Sequence, residues 1–269
     1  MSRRVSTALL AFTAVLALAG CGWFDFEERE AWRGQAEAQC LRERRVEPSA
    51  YMSLRPAING PGICGMDHPL QVTALSGGAV SLRQDAVLNC PTVAATQDWL
   101  DAVVQPAAML HLGARVTEIH SGSYACRTRN SQRGARKSEH AFGNAVDVMS
   151  FTLEDGRTIT VARGWRGAPQ ERDFLREAFV GACGIFTTVL GPGSDAFHHD
   201  HFHLDLARHD ARGERRVCRP QIDFRSRLDE IPVAQTPAAR TPSPLPDAPR
   251  AGTLPTDPLR RALGIIGLY

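Results

Sequence analysis

Ser138-Glu139-His140-Ala141-Phe142-Gly143-Asn144-Ala145-Val146-Asp147-Val148-Met149 reads as a turn running into a strand. Gly143 supplies the residue without a Cβ that a close backbone bend needs. Residues 145–149 are apolar enough for a strand. A second stretch, His198-His199-Asp200-His201-Phe202-His203-Leu204-Asp205-Leu206, alternates apolar and polar residues from 201 onward. That period of two describes a half-buried strand with His201, His203 and Asp205 on one face.

Further elements lie on either side. Residues 80–82, 116–120 and 158–162 are strand candidates. Trp99, Val103, Ala107 and Leu110 recur at helical spacing, so 92–112 is expected to be a helix, interrupted at Pro106 and stopped by Gly113. Residues 168–182 are expected to form a second helix, with Phe174, Phe179 and Val180 facing inward. Helices and strands mix without strict β-α-β alternation, which favours the α+β class.

The flanks differ in character. The first twenty residues pair Arg3 and Arg4 with an apolar run to about Ala19, too short for an ordinary membrane span. Leu18-Ala19-Gly20-Cys21 resembles a bacterial lipobox, so 1–20 is expected to be a lipoprotein signal peptide and Cys21 the lipidated N-terminus. Gly22 in place of Asp favours sorting to the outer membrane by the same resemblance. Residues 21–50 are charge-rich and read as a membrane-proximal spacer with a short helix ending near Cys40. Residues 51–224 carry the periodic apolar pattern. Residues 225–269 read as a disordered tail, with eight of the 17 prolines between 225 and 258.

Composition narrows the function classes. Of 269 residues, 43% are hydrophobic, enough for a buried core. Lys and Arg number 31 against 29 Asp and Glu, so no positive excess points to nucleic acid. Removing a signal that holds two Arg and no acid leaves the charges equal, so the lipid and not a basic patch is the expected anchor. Seven cysteines are present, and setting Cys21 aside leaves Cys40, Cys64, Cys90, Cys126, Cys183 and Cys218. Six in an oxidising compartment are expected to form three disulfides, with pairing left open. No Cys-x-x-Cys pair offers them to a metal.

Five of the nine histidines fall in the two stretches quoted above. With the thiols oxidised, His and carboxylate are the natural ligands for Zn2+. A catalytic zinc takes three protein ligands and keeps one position open, and His140, Asp147 and His203 can supply the three. Gly143 is expected to let the backbone pass close beneath the metal.

At these residues the chain resembles a family. Ser138-x-His140-x-x-Gly143-x-Ala145-x-Asp147 followed by a downstream His is similar to the signature of zinc D-Ala-D-Ala peptidases, which include VanX-like dipeptidases and, more distantly, MepA-like endopeptidases. The segment from about Cys64 to Cys218 resembles the bacterial extensin-like C-terminal domain, at 104–108, Ser123-Tyr124-Ala125-Cys126-Arg127, Ser138-Glu139-His140, Asp155-Gly156-Arg157 and 189–193. The resemblance implies a small, mainly antiparallel sheet with flanking helices, of the hedgehog-like peptidase core. It implies His140, Asp147 and His203 as zinc ligands, and Asp200 or His201 as general base, with Asp200 modestly favoured. It implies Arg127 as the substrate-carboxylate clamp, with Arg129 as the alternate. The expected function is a lipid-anchored peptidase on the periplasmic face of the envelope that hydrolyses peptidoglycan stem peptides. The alternative is a catalytically silent cell-wall-binding lipoprotein of the same fold.

Overall fold

The computed structural model describes residues 28–228. The expected signal peptide, Cys21 and all but the start of the expected tail lie outside them. The described residues belong to one compact unit that ends at Glu230.

The central sheet has nine strands, ordered β1-β4-β5-β6-β7-β10-β9-β11, with β8 also on β7. Their spans are β1 Met52–Leu54, β4 Leu70–Leu75, β5 Val80–Leu88, β6 Val116–Gly122, β7 Ala145–Leu153, β8 Thr158–Thr160, β9 Thr188–Leu190, β10 Phe202–Asp205 and β11 Val217–Arg219. β2 (Ile58–Asn59) and β3 (Gly65–Met66) form a separate two-stranded ribbon. β5 runs parallel to β6 and β11 parallel to β9, so the sheet is mixed and larger than the small sheet expected. Parallel neighbours require a crossover. The helical run 90–112 makes the first of them.

That run starts at α2 (Cys90–Trp99), passes through a π-type turn at Leu100–Val104, and continues as α3 (Gln105–Leu112). Asn89 caps it by accepting from the Thr92 N–H, and Pro91 occupies the first turn, where no donor is missed. The interruption expected at Pro106 is the π-type turn just before it. Gly113 closes the run in the left-handed conformation, φ 68°. α5 (Pro169–Ile185) buries Phe174, Leu175, Ala178, Phe179 and Ala182, an apolar stripe at helical spacing. Val180 lies only partly buried at its edge. Trp99 stacks this layer: its Nε1–H donates to the Ala178 carbonyl at 2.8 Å, and its ring meets Phe151 of β7 at 6.0 Å. The expected strand at 158–162 stops at Thr160, because Thr160 caps the one-turn helix α4 (Val161–Gly164).

Two corrections concern the edges. Residues 32–42 form the short helix expected near Cys40, α1 (Trp32–Arg42), but it packs into the folded unit and is not a spacer, with Arg33, Glu37 and Cys40 buried. Its buried stripe is charged, which is why hydropathy places it outside the core. The folded unit also continues past 224: the Ser226 hydroxyl and the Arg227 N–H donate to Glu177 at 2.8 and 2.6 Å. Three disulfides tie the unit, Cys40–Cys90, Cys64–Cys126 and Cys183–Cys218. They span 50, 62 and 35 residues, loops for which chain-entropy models give about 4 kcal/mol each.

Candidate metal centre

β7 and β10 lie side by side and antiparallel, with His203 directly opposite Asp147. Their apolar neighbours Val146, Val148, Phe202 and Leu204 enter the core, so Asp147 and His203 share the other face. A bulge makes this possible without disturbing β7 further along. Met149 is the extra residue between the pairs Val148–Ser121 and Ser150–His120, and it resets the alternation so that Phe151 and Leu153 also reach the core. His140 arrives from a 3-10 turn, Glu139–Phe142, capped by the Ser138 hydroxyl.

The three side chains converge. His140 Nε2 lies 3.0 Å from Asp147 Oδ1, His203 Nδ1 lies 2.8 Å from the same oxygen, and the two nitrogens are 3.2 Å apart. Donor atoms of a tetrahedral zinc, each at about 2.0–2.1 Å from the ion, are separated by about 3.3 Å.

The outer partners fix what these atoms present. His140 Nδ1 is 2.8 Å from the Ser123 carbonyl, which can only accept, so Nδ1 carries the hydrogen and Nε2 offers a lone pair. His203 Nε2 is 3.0 Å from Asp205 Oδ2, so Nδ1 is the lone-pair side of the neutral ring. Two imidazole lone pairs and a carboxylate oxygen therefore face one point. When both rings are neutral, a bound cation relieves that arrangement, and without one a proton on His203 does. The same demand appears in the proton equilibria. Burial lowers His203, yet hydrogen bonds to Asp147 and Asp205 outweigh it and push the imidazole up to about 10. Burial raises Asp147, but His140 and His203 hold it well below the usual carboxylate range. Two nitrogens, each with its ring held by an outer partner, and one carboxylate oxygen fit zinc.

A cavity of about 350 Å³ opens over this point, and Arg127, Arg129, Phe197, His198 and His201 are among the residues that line it. His201 turns its Nε2 to within 3.7 Å of Asp147 Oδ1, while its Nδ1 pairs with Asp200 at 2.8 Å. Asp200 thus stands behind His201 and outside the cavity lining. Arg127 Nη2 is 3.8 Å from Asp147 Oδ2, the oxygen not aimed at the histidines. The Cys64–Cys126 bridge anchors the backbone beside it. Sequence reasoning left His198 open and missed Asp195. Asp195 holds His198 Nδ1 at 2.7 Å, and burial nevertheless lowers the His198 pKa. The signal was present as Asp195-x-x-His198, one of three aspartates each bonded to a histidine in this short segment. His199 is exposed and faces away.

A model of the family described as Extensin-like protein C-terminus matches residues 38–219. The chain belongs to this family. The matched range begins inside α1 and ends with β11, so all three disulfides of the extensin-like domain fall within it. No curated protein matches the chain, and no solved structure does.

The turn that carries His140 is locked from below. Arg33 forks onto Glu139 with Nη1–Oε2 at 2.7 Å and Nη2–Oε1 at 3.0 Å, and its guanidinium lies 3.8 Å over the Phe142 ring. Asn144 donates to Glu139 at 2.7 Å and accepts from Asn89 at 3.0 Å. Glu139 and Asn144, inside the motif of the extensin-like domain, therefore position the turn and do not face the cavity centre. Gly143 differs from the sequence expectation as well. At φ 58° it closes the 3-10 turn, and a Cβ there would overlap Met66 Sδ and sit 3.1 Å from the Asn89 nitrogen. Its role is contact with β3 and the α2 cap. Gly143→Ala combines a left-handed penalty of about 1–2 kcal/mol with overpacking of about 1–3 kcal/mol. A loss of roughly 2–5 kcal/mol in denaturant unfolding is expected, and unchanged stability would contradict this reading.

Proposed function

We propose that this extensin-like domain is a zinc-dependent peptidase that hydrolyses amide bonds in peptidoglycan stem peptides. The observation that carries the reading is the convergence of His140 Nε2, Asp147 Oδ1 and His203 Nδ1 at the floor of a cavity that also holds a His–Asp pair and an arginine. The likeness of Ser138-x-His140-x-x-Gly143-x-Ala145-x-Asp147 to the zinc D-Ala-D-Ala peptidases supports it. Lipid attachment at Cys21 is part of the same proposal, with the domain on the periplasmic face of the envelope and the outer membrane as anchor. Three disulfides fit that oxidising compartment. Among the described residues no helix is long and apolar enough to cross a membrane.

Zinc, when bound, supplies Lewis acidity that polarises a scissile carbonyl and acidifies water. The protein's own residues do the rest. His201 is the general base: its Nε2 faces the centre, takes a proton and returns it to the leaving amine. Asp200 is its positioning partner, holding the Nδ1–H and favouring the imidazolium that forms. Arg127 presents a guanidinium fork to a peptide carboxylate. Asp205 and the Ser123 carbonyl hold the ligand rings in the tautomers the metal needs.

Digestion of purified muropeptides by the full chain, followed by mass spectrometry, tests the reading and identifies the bond. His201→Ala is expected to slow fragment release by about 10²–10⁴-fold. Asp200→Asn, which leaves His201 in place, is expected to slow it by about 10–100-fold. A larger loss from Asp200→Asn than from His201→Ala would mean that Asp200 and not His201 takes the proton. Zinc-loaded protein that releases no fragment would identify a silent wall-binding domain.

A further inference from the structure

A second cavity, about 230 Å³, adjoins the metal site and shares Arg129, Glu139 and His209 with it. Its cations come from separate parts of the chain. Arg129, Arg136 and Lys137 belong to the loop between Cys126 and Ser138, and Arg208 follows β10. That loop holds five cations and no acid between 127 and 137. It folds back on itself, with Thr128 bridged to Lys137 and the Arg129 N–H donating to the Arg136 carbonyl at 2.9 Å. The bases are thereby gathered at one place.

The only carboxylates in this lining, Glu30 and Glu139, are both taken by Arg33, at 2.7 Å each. Among the described residues, Arg129, Arg136, Lys137 and Arg208 have no carboxylate oxygen within 4.0 Å. Lys137 Nζ has only a 4.0 Å contact with Cys126 Sγ. Arg208 is held in place by stacking on Trp32, 4.7 Å from the ring centroid. Four cations, none in a direct ion pair, outnumber the carboxylates left to them, since both lining carboxylates are bonded to Arg33, and an anionic ligand reduces their mutual repulsion.

We propose that this basic cavity is a second substrate subsite, which receives a further carboxylate of the peptide whose scissile bond lies at the metal centre. The inference rests on the peptidase reading and deepens it. The substrate class becomes a peptide with several free carboxylates, one of them displaced from the bond that is cut. Arg136 and Arg208 supply the planar forks that suit a carboxylate. Arg127 remains the clamp inside the first cavity.

The test is calorimetric titration of the full chain with a disaccharide-tetrapeptide muropeptide, and with the same muropeptide after its carboxylates are amidated. The variant is Arg136→Gln/Arg208→Gln, at two exposed positions whose replacement leaves the fold intact by circular dichroism. The wild type is expected to bind the free acid at least tenfold more tightly than the amide. The variant is expected to lose at least tenfold on the free acid and nothing on the amide. Equal affinity of variant and wild type, the same loss on both ligands, or no binding by the wild type would overturn the subsite. Fragment release in the same samples reports separately on the peptidase reading. Carboxylate-selective binding without cleavage would keep the subsite and remove the peptidase, and cleavage with charge-indifferent binding would do the reverse.

Discussion

His203→Ala is expected to empty the metal centre and to reduce muropeptide hydrolysis to background. His203 is the hub of the site. Its Nδ1 is within 3.2 Å of both other donor atoms, and its Nε2 is bonded to buried Asp205. Alanine removes one of three ligands, and two protein ligands do not make a zinc site that survives dilution. Elemental analysis of purified full-length protein is expected to find about one zinc per chain in the wild type and less than about a tenth of that in the variant. Asp205→Asn keeps all three ligands but weakens the acceptor behind His203, so a smaller loss in zinc affinity, about 10–100-fold, is expected. The ordering of the two variants is the discriminating result. Wild-type protein without zinc at neutral pH would refute the metal assignment itself.

The largest stability effect is expected beneath the turn that carries His140, at Arg33→Ala. Arg33 and Glu139 side chains are 5% and 6% exposed, and they form a two-bond fork. Removing the guanidinium leaves Glu139 buried with one donor, Asn144. Breaking a buried pair in this way costs about 3–5 kcal/mol. At about 2–4 °C per kcal/mol for a domain of this size, melting is expected to fall by roughly 10 °C. Arg33→Met with Glu139→Gln removes both charges and is expected to recover much of the loss. Because Glu139 precedes His140, the single variant is also expected to loosen zinc binding, which the double variant restores only in part. A single variant that melts like the wild type would show that the pair is not what holds the turn.

Much of the fold was legible where burial and apolarity coincide. The α5 stripe, the strand at 116–122 and the alternation through 202–205 all follow from side chains that avoid water at a fixed period. α1 was legible as a short helix near Cys40 but not as part of the folded unit, because its buried stripe includes Arg33 and Glu37, which are satisfied by partners distant in sequence. No local pattern announces a charge that will be paired across 106 residues. The bulge at Met149 was hidden for a related reason. It is defined by register against β6, and register is a property of two strands.

The site divides the same way. His140, Asp147 and His203 were readable as candidate ligands because residue type and spacing limit which side chains can ligate a metal, and Cys21 stood out for its place after a small-residue boundary. Six cysteines were readable as three bridges but allowed 15 pairings. Only the folded chain chose Cys40–Cys90, Cys64–Cys126 and Cys183–Cys218, since pairing depends on which Cα atoms come within about 6 Å. Likewise, the order Asp200-His201 allowed either residue to face the centre. The sequence by itself determined which groups are available for chemistry. The tertiary structure decided how those groups are placed, because strand register turned His201 toward Asp147 and left Asp200 behind it, and because it brought His140, Asp147 and His203 to a single point.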